Sequence, residues 1–173
     1  MTINTKTLAA IDIGTNAIRL FISNVEEYPT ETLFKKIAFL RVPIRLGEDV
    51  FTTGEIGQQK GKRLCETMQG FSYIMSAFNV ESYKAYATCA MREARNGKSV
   101  AEQIQKECDL NIEIISGTKE AETIFAGGMN EVVDDDKTYL YVDVGGGSTE
   151  VIVYSKSVKV EACSFPLGTV RML

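Results

Sequence analysis

Residues 12–22 read Asp-Ile-Gly-Thr-Asn-Ala-Ile-Arg-Leu-Phe-Ile, and residues 143–153 read Asp-Val-Gly-Gly-Gly-Ser-Thr-Glu-Val-Ile-Val. When Asp12 is aligned with Asp143, the aspartate, the first glycine and the apolar positions after the turn coincide. Each segment joins two runs of strand-forming residues, which predicts a β-hairpin in each case. Two hairpins can resemble each other by chance, but a repeat of this kind favours a duplicated fold whose halves face one another across a cleft.

The segments around these turns alternate between strand and helix patterns, which predicts a mixed α/β fold. The predicted strands are Leu8–Ile13, Ile18–Val25, Thr32–Val42, Ser82–Ala87, Asn111–Ile115, Thr138–Val144, Glu150–Tyr154 and Ser157–Ser164.

Three helices are predicted between these strands. The longest runs from Glu55 to Phe78, because its apolar residues recur at helical spacing on one face. Ser99 and Glu102 fit a capping box that opens a short helix ending near Cys108. A third helix is predicted from Gly117 to Val132, followed by an acidic turn at residues 134–136.

Composition limits the classes of function. Hydrophobic residues make up 45% of the 173 residues and charged residues 24%, as is typical of a globular chain. The net charge of −4 argues against nucleic-acid binding, which needs a basic face. The N-terminus lacks a signal-peptide pattern and no apolar run is long enough to span a membrane, so we expect a cytoplasmic protein with no membrane partner.

The chain has no histidine, which excludes Ser-His-Asp triads and histidine-ligated metals. Its four cysteines show no Cys-x-x-Cys spacing, so neither a zinc site nor a disulfide framework is predicted. Acid–base chemistry must therefore come from carboxylates, lysine, tyrosine or cysteine.

The triple-glycine turn is the strongest candidate for anion binding. Gly145, Gly146 and Gly147 free the backbone to aim its N–H groups at one point, and Ser148 and Thr149 add hydroxyl donors. Asp143 before the turn can hold a hydrated Mg²⁺ that bridges phosphate oxygens. The pattern is neither a Walker loop nor a dinucleotide-binding loop, and its alternative is a glycine-rich hairpin with a β-bulge.

The first turn offers the same groups with fewer glycines. Asp12 is a candidate for binding metal or water, and Thr15 and Asn16 are candidate phosphate donors. Asn16 is equally explained as a residue tolerated at positive φ.

Two glutamates near the start of the third helix compete for the role of general base. Glu120 is either that base, activating water for attack on phosphorus, or a carboxylate that complements the helix dipole. Glu122 competes with it but points to a different face of the helix. Spacing alone does not choose between them.

Arg92 and Arg95 follow a predicted strand end and are candidates for pairing with phosphate, with surface arginines of a short helix as the alternative. Cys89 lies nearby, but without a histidine to activate it, a small buried hydrophobe is the better interpretation.

Four segments occur in the order of a known family and resemble it together. They read Ala-Ile-Asp-Ile-Gly-Thr-Asn from Ala10, Ala-Thr-Cys-Ala-Met-Arg-Glu-Ala from Ala87, Ile-Ile-Ser-Gly-Thr-Lys-Glu-Ala from Ile114 and Val-Asp-Val-Gly-Gly-Gly-Ser-Thr-Glu from Val142. With the tail Phe165–Arg171, they resemble the exopolyphosphatase / guanosine pentaphosphate phosphohydrolase (Ppx/GppA) family.

This resemblance implies a two-lobed actin-like ATPase (ribonuclease H-like) fold with a mixed five-stranded sheet, and Mg²⁺-dependent release of terminal phosphate. The substrate would be inorganic polyphosphate or guanosine pentaphosphate, and the full-length protein a homodimer. The resemblance assigns the catalytic glutamate to Glu120, a phosphate-binding arginine to Arg92 and the glycine loop to Asp143–Ser148. Glu150, which closes the glycine motif, is placed near the metal or water.

The sequence departs from the family pattern at three positions. Lys119 stands where a second glutamate is frequent, Glu122 where an arginine is frequent, and Ala17 where a serine or threonine often follows the asparagine. The chain also stops at Leu173, so we expect a fragment: a first lobe at 1–130 and the opening strands of a second at 131–173. Without their covering helices, those strands should leave an apolar face exposed.

Two other functions fit the same turns. One is a kinase or ATPase of this fold, which would need an adenosine pocket. The other is a non-catalytic module that binds guanosine penta- or tetraphosphate without turnover.

Overall fold

A computed structural model describes residues 4–127, 136–156 and 158–173 of the chain. Its eight strands form two sheets. They are β1 (Asn4–Ile13), β2 (Ile18–Glu27), β3 (Thr32–Val42), β4 (Ser82–Ala87), β5 (Glu113–Ile114), β6 (Thr138–Val144), β7 (Thr149–Ser155) and β8 (Val158–Phe165).

The first sheet has five strands in the order β3-β2-β1-β4-β5. Strands β1, β2 and β3 are antiparallel neighbours, whereas β4 runs parallel to β1 and β5 parallel to β4. The sheet is therefore mixed, as predicted. The central strand β1 ends at Ile13. Asp12 therefore lies at the C-terminal end of the middle strand, next to the turn that leads to β2.

Five helices connect and cover the strands in the described residues. They are α1 (Leu46–Thr53), α2 (Gln58–Ala77), α3 (Cys89–Glu93), α4 (Gly97–Cys108) and α5 (Gly117–Ala126). Apolar residues of α2, among them Leu64, Met68 and Phe71, pack with the inward residues of β1, β2 and β4 in one core. This packing covers one face of the sheet, and residues of the opposite face, among them Phe21, Phe39 and Tyr86, line a cavity.

The second sheet is an antiparallel meander in the order β6-β7-β8. One face packs against α5, where Ala121, Ile152 and Tyr154 are buried together. The predicted lobe boundary between residues 130 and 131 lies outside the described residues, but α5 already contacts the second sheet. The other face is apolar and exposed at Leu140, Val142 and Val144, as predicted for strands that lack covering helices.

Some elements were missed or misplaced by the predictions from sequence. Helix α1 was not predicted. The Ser99–Glu102 capping box is wrong, because Asn96 is the N-cap of α4 and no side chain caps that helix. Strand β5 is only two residues long, since it pairs only with the end of β4. Gly128, Val132 and the first residues of the acidic turn lie outside the described residues.

None of the helices in the described part of the chain is long and apolar enough to cross a membrane. All four cysteines are free thiols, and Cys65, Cys89 and Cys108 are buried.

Two helical glycines make a matched test of this packing. A methyl group at Gly70, inside α2, would meet no atom within 4 Å, whereas at Gly97 it would overlap the backbone carbonyl of Met91. Gly70→Ala should therefore raise the free energy of unfolding by about 0.5–1 kcal/mol, because alanine loses less chain entropy on folding. Gly97→Ala should lower it by about 1–3 kcal/mol through overpacking. Urea unfolding of both variants checks this, and equal effects would contradict the described packing.

Candidate functional site

A cavity of about 730 Å³ lies between the two sheets. Of the predicted site residues, it is lined by Asp12, Thr15, Asn16, Glu120, Asp143, Gly145 and Gly146. Residues from both hairpin turns and from α5 therefore meet at one place, although more than 100 positions separate Asp12 from Asp143 in the chain.

The two turns have the same geometry. Asp12 lies opposite Arg19 across the first hairpin, and Asp143 lies opposite Glu150 across the second. The Gly14 N–H donates to the Ala17 carbonyl at 3.2 Å, and the equivalent Gly145 N–H donates to the Ser148 carbonyl at 2.8 Å. Shared register and a shared turn bond are what the internal repeat predicts.

The carbonyl groups of the glycine turn are held by the chain after β8. The N–H of Thr169 donates to the Gly145 carbonyl at 3.0 Å and the N–H of Val170 to the Gly146 carbonyl at 2.8 Å. In a trans peptide the N–H of the next residue points away from the carbonyl, and the described residues contain no cis bond. The Gly146 N–H therefore points away from the Thr169 N–H, and neither Gly146 nor Gly147 donates to an acceptor in the described residues.

Thr15 and Asn16 lie against the glycine turn. A methyl group added at Gly146 would lie 3.0 Å from the Thr15 side chain and 3.1 Å from the Asn16 amide nitrogen. Positive φ does not explain Asn16, because the four non-glycine residues with positive φ among those described are Arg45, Asn79, Asp109 and Lys156. The Asn16 carbonyl instead accepts a hydrogen bond from the Arg45 N–H at 2.9 Å.

The two hydroxyl groups after the glycines have different surroundings. Ser148 is buried beneath the turn. The Thr149 hydroxyl donates to the Leu167 carbonyl at 2.7 Å, so in this structure it holds the tail.

Glu120 lies in the first turn of α5 and points into the cavity. Its carboxylate accepts a hydrogen bond from Arg92 at 3.4 Å, and the same arginine donates to the Ile115 carbonyl at 2.8 Å. Arg92 therefore reaches from α3 to the loop that begins α5 and to the glutamate itself.

Burial and neighbouring carboxylates make Glu120 a weak acid. Desolvation, followed by the negative charge of Glu150, raises its pKa to about 7, although Arg92 works in the opposite direction. A carboxyl group with a pKa near neutrality can accept a proton from water and release it again.

Asp143 and Glu150 face one another across β6 and β7 on the side that packs against α5. Glu150 is only 2% exposed, and its carboxylate accepts a hydrogen bond from the Ser164 hydroxyl at 2.9 Å. Burial, together with Glu150, raises the pKa of Asp143. The two carboxylates therefore concentrate negative charge at a partly buried position beside α5.

Asp12 is paired with Arg19, whose Nη1 lies 2.5 Å from its Oδ2. Arg19 also lines the cavity, and its charge lowers the pKa of Asp143. Sequence reasoning missed Arg19, although the four-residue turn between Ile13 and Ile18 would have placed it opposite Asp12.

The competing candidates lie elsewhere. Glu122 accepts a hydrogen bond from Lys159 at 2.7 Å and is not among the cavity residues. Arg95 donates to the Thr53 carbonyl and pairs with Glu55 at the surface. Cys89 is buried, which raises the pKa of its thiol and fits its interpretation as a small hydrophobe.

Lys119 and Glu122, two of the residues that depart from the family pattern, form ion pairs. Lys119 forms an ion pair with Glu113 and lies over the ring of Tyr86 at 5.5 Å. Glu122 is neutralised by Lys159 of β8. Both charges are thus turned to the flanks of α5 rather than to Glu120.

Three further residues of the site were not singled out from the sequence. The Ser164 hydroxyl donates a hydrogen bond to the Glu150 carboxylate. A methyl group added at Gly117 would lie 2.9 Å from the Ser164 side chain, so glycine at this position lets α5 lie close to β8. Thr88 and Phe51 flank the turns from α3 and α1. Their roles arise from long-range packing, for which the sequence carries no local signal.

Known proteins share these features. The model of the Ppx/GppA phosphatase family matches residues 12–173. A bifunctional 3-dehydroquinate synthase/phosphatase of Fusobacterium nucleatum is 32% identical over 95% of this chain and 25% of its own length. A putative exopolyphosphatase of Haemophilus influenzae is 28% identical over 96% of this chain and 50% of its own length.

Solved structures agree with this likeness. The crystal structure of an exopolyphosphatase from Cytophaga hutchinsonii superposes with a TM-score of 0.86 at 29% identity, covering 96% of this chain and 52% of that one. The chain therefore spans about half the length of the solved relative. It has the actin-like ATPase fold in its mixed five-stranded form.

A family model that matches nearly the whole chain agrees with the paired turns, the glycine loop and the cavity glutamate. This chain is a member of the Ppx/GppA phosphatase family.

Proposed function

We propose that the protein hydrolyses terminal phosphoanhydride bonds, with inorganic polyphosphate or guanosine pentaphosphate as substrate. The observation that carries the proposal is the position of Glu120, which faces the cavity together with the glycine turn and Asp143. Relatives named exopolyphosphatase support the choice of polyphosphate.

The reaction needs a bound terminal phosphate and a positioned water. The free N–H groups of Gly146 and Gly147 are suited to bind phosphate oxygens, together with the side chains of Thr15 and Asn16. Water attacks the terminal phosphorus, its proton passes to the Glu120 carboxylate, and the bond to the bridging oxygen breaks. The products are orthophosphate and a chain one phosphate shorter. Arg92 and Arg19 provide positive charge beside the reacting group.

Mg²⁺ is proposed as the cofactor on the chemistry of the donors. No group of three or more metal-ligand side chains is found in the parts of the chain that the structure describes. Mg²⁺, however, takes one or two carboxylates and keeps several waters, and Asp143 and Glu150 offer two neighbouring carboxylates. Asp12 is the third predicted ligand, currently paired with Arg19. When bound, Mg²⁺ neutralises phosphate charge and polarises phosphoryl oxygens.

A homodimeric intact protein in the cytoplasm is part of the same proposal. The homodimer rests on the family resemblance, and the location on the four cysteines, which are free thiols. Light scattering of the intact protein would measure the oligomeric state.

The proposal predicts that Glu120→Gln abolishes most turnover. An amide cannot accept the proton from water, so phosphate release from polyphosphate and from guanosine pentaphosphate should fall about 10²–10⁴-fold. Glu122→Gln is the matched control, because Glu122 pairs with Lys159 away from the cavity. Both are measured by orthophosphate release from the intact protein.

Undiminished turnover in Glu120→Gln would show that Glu120 is not the general base. Tight binding of guanosine pentaphosphate without turnover in the unaltered protein would favour the non-catalytic module instead. ATP hydrolysis without polyphosphate hydrolysis would favour the kinase or ATPase.

The raised pKa of Glu120 predicts the pH dependence of activity. Because the base must be ionised, kcat/KM should rise as the pH passes through about 7 and then level off. Glu150→Gln removes a neighbouring negative charge, so the midpoint should move to lower pH whatever happens to the maximal rate. If the midpoint of the pH profile does not move in Glu150→Gln, the charge of Glu150 does not affect the pKa of the base.

The same carboxyl group affects folding stability. Folding raises the pKa of Glu120, so its contribution is fully present below the ordinary pKa of glutamate and is lost as the pH rises through about 7. Glu120→Gln should therefore flatten the decline in unfolding free energy over this range, which urea titrations at several pH values measure.

A further inference from the structure

Arg171 occupies a place that the proposed reaction does not yet use. It follows β8 in the tail, and its guanidinium contacts both the glycine turn and the first lobe. Its Nε donates to the Gly147 carbonyl at 2.7 Å. Its Nη2 lies 2.5 Å from the Glu93 carboxylate, and the guanidinium carbon lies 4.2 Å from the centre of the Phe51 ring.

The bond to Gly147 determines the direction of one particular donor. The Gly147 carbonyl and the Ser148 N–H belong to one planar trans peptide, so fixing the carbonyl fixes the N–H on the opposite side. The tail backbone already fixes the two preceding peptides through the Gly145 and Gly146 carbonyls. Arg171 thus completes a row of three consecutive peptides whose carbonyl groups are all held by residues 169–171 of the tail.

The bond to Glu93 ties this row to the opposite lobe. Glu93 follows Arg92 directly on α3, and Arg92 holds Glu120. The guanidinium is planar with donors in a fixed fork, so one side chain sets the distance between the glycine turn and α3. The bond to Gly147 is partly buried, whereas the ion pair with Glu93 is exposed.

We propose that Arg171 is a positioning residue for phosphoryl transfer, which fixes the orientation of the Gly147–Ser148 peptide and holds the glycine turn at a fixed distance from the helix that carries Arg92. Arg171 does not line the cavity, so it acts through these groups and not on the substrate itself. This inference rests on the proposed function for its kinetic readout, but the placement of the turn can be measured without catalysis.

Gly168 offers an independent way to disturb the same row. A methyl group there would lie 2.5 Å from the Gly147 nitrogen, so Gly168→Ala should push the tail away from the turn without changing any charge.

The test compares Arg171→Gln, Arg171→Lys, Glu93→Gln and Gly168→Ala in the intact protein. Arg95→Gln is the matched control, because Arg95 also joins a backbone carbonyl and a glutamate but contacts α1 rather than the turn. The readouts are kcat and KM for orthophosphate release from polyphosphate, and hydrogen exchange of residues 143–149 with and without tripolyphosphate.

We expect Arg171→Gln to lower kcat about 10²-fold with a smaller change in KM, because misaimed donors fail mainly when charge develops on the phosphate. Glu93→Gln should cost less than Arg171→Gln, since it leaves the bond to Gly147. Arg171→Lys should recover part of the loss, and Gly168→Ala should reproduce it. Arg95→Gln should match the unaltered protein.

Hydrogen exchange separates this inference from the proposed function. If the unaltered protein hydrolyses nothing, the proposed function fails, yet protection of residues 143–149 by tripolyphosphate that disappears in Arg171→Gln would still support the positioning role. Wild-type kcat and wild-type protection in Arg171→Gln would overturn it. A loss in Glu93→Gln equal to that in Arg171→Gln would also overturn it, because the ion pair alone would then suffice.

Discussion

The close approach of the glycine turn to the first lobe is the constraint on which the site depends. A methyl group at Gly147 would lie 2.5 Å from the Cys89 sulfur and 2.6 Å from the Phe51 ring, so no other residue fits there without displacing α1 or α3. At Gly146 the neighbour is Thr15 of the opposite turn. Because side chains are absent, two turns from different sheets come together and their backbone donors share one cavity.

This approach also concentrates negative charge. Asp12, Asp143 and Glu150 end up near Glu120, and burial, followed by the charges of Glu150 and Asp12, raises its pKa to about 7. The cost of this crowding is reduced by Arg19 and Arg92, each of which pairs with one carboxylate. The site therefore combines a carboxyl group whose pKa lies near neutrality with an excess of negative charge.

Much of the fold could be predicted from the sequence. Seven of the eight strands lie close to their predicted positions, because alternating and continuous apolar runs are local patterns. The errors concern features that depend on neighbours: β5 is short because only the end of β4 is available to it, and α4 begins at Gly97, after an Asn96 N-cap that forms no side-chain hydrogen bond. Helices α1 and α3, which were not predicted, are only eight and five residues long, and α1 follows Arg45, which has positive φ.

In the candidate site, too, some features follow from local sequence and others depend on tertiary contacts. The sequence by itself determined the two Asp-x-Gly turns, their shared register and the separation of Glu120 from Glu122 on the helix, because strand alternation and helix periodicity are properties of adjacent residues. Only the tertiary structure decided that Arg92 pairs with Glu120, that Ser164 holds Glu150 and that Arg171 joins Gly147 to Glu93. Arg171 and Glu93 are 78 residues apart in the chain, and their contact exists only because parts of two different sheets meet at glycines that allow them to touch.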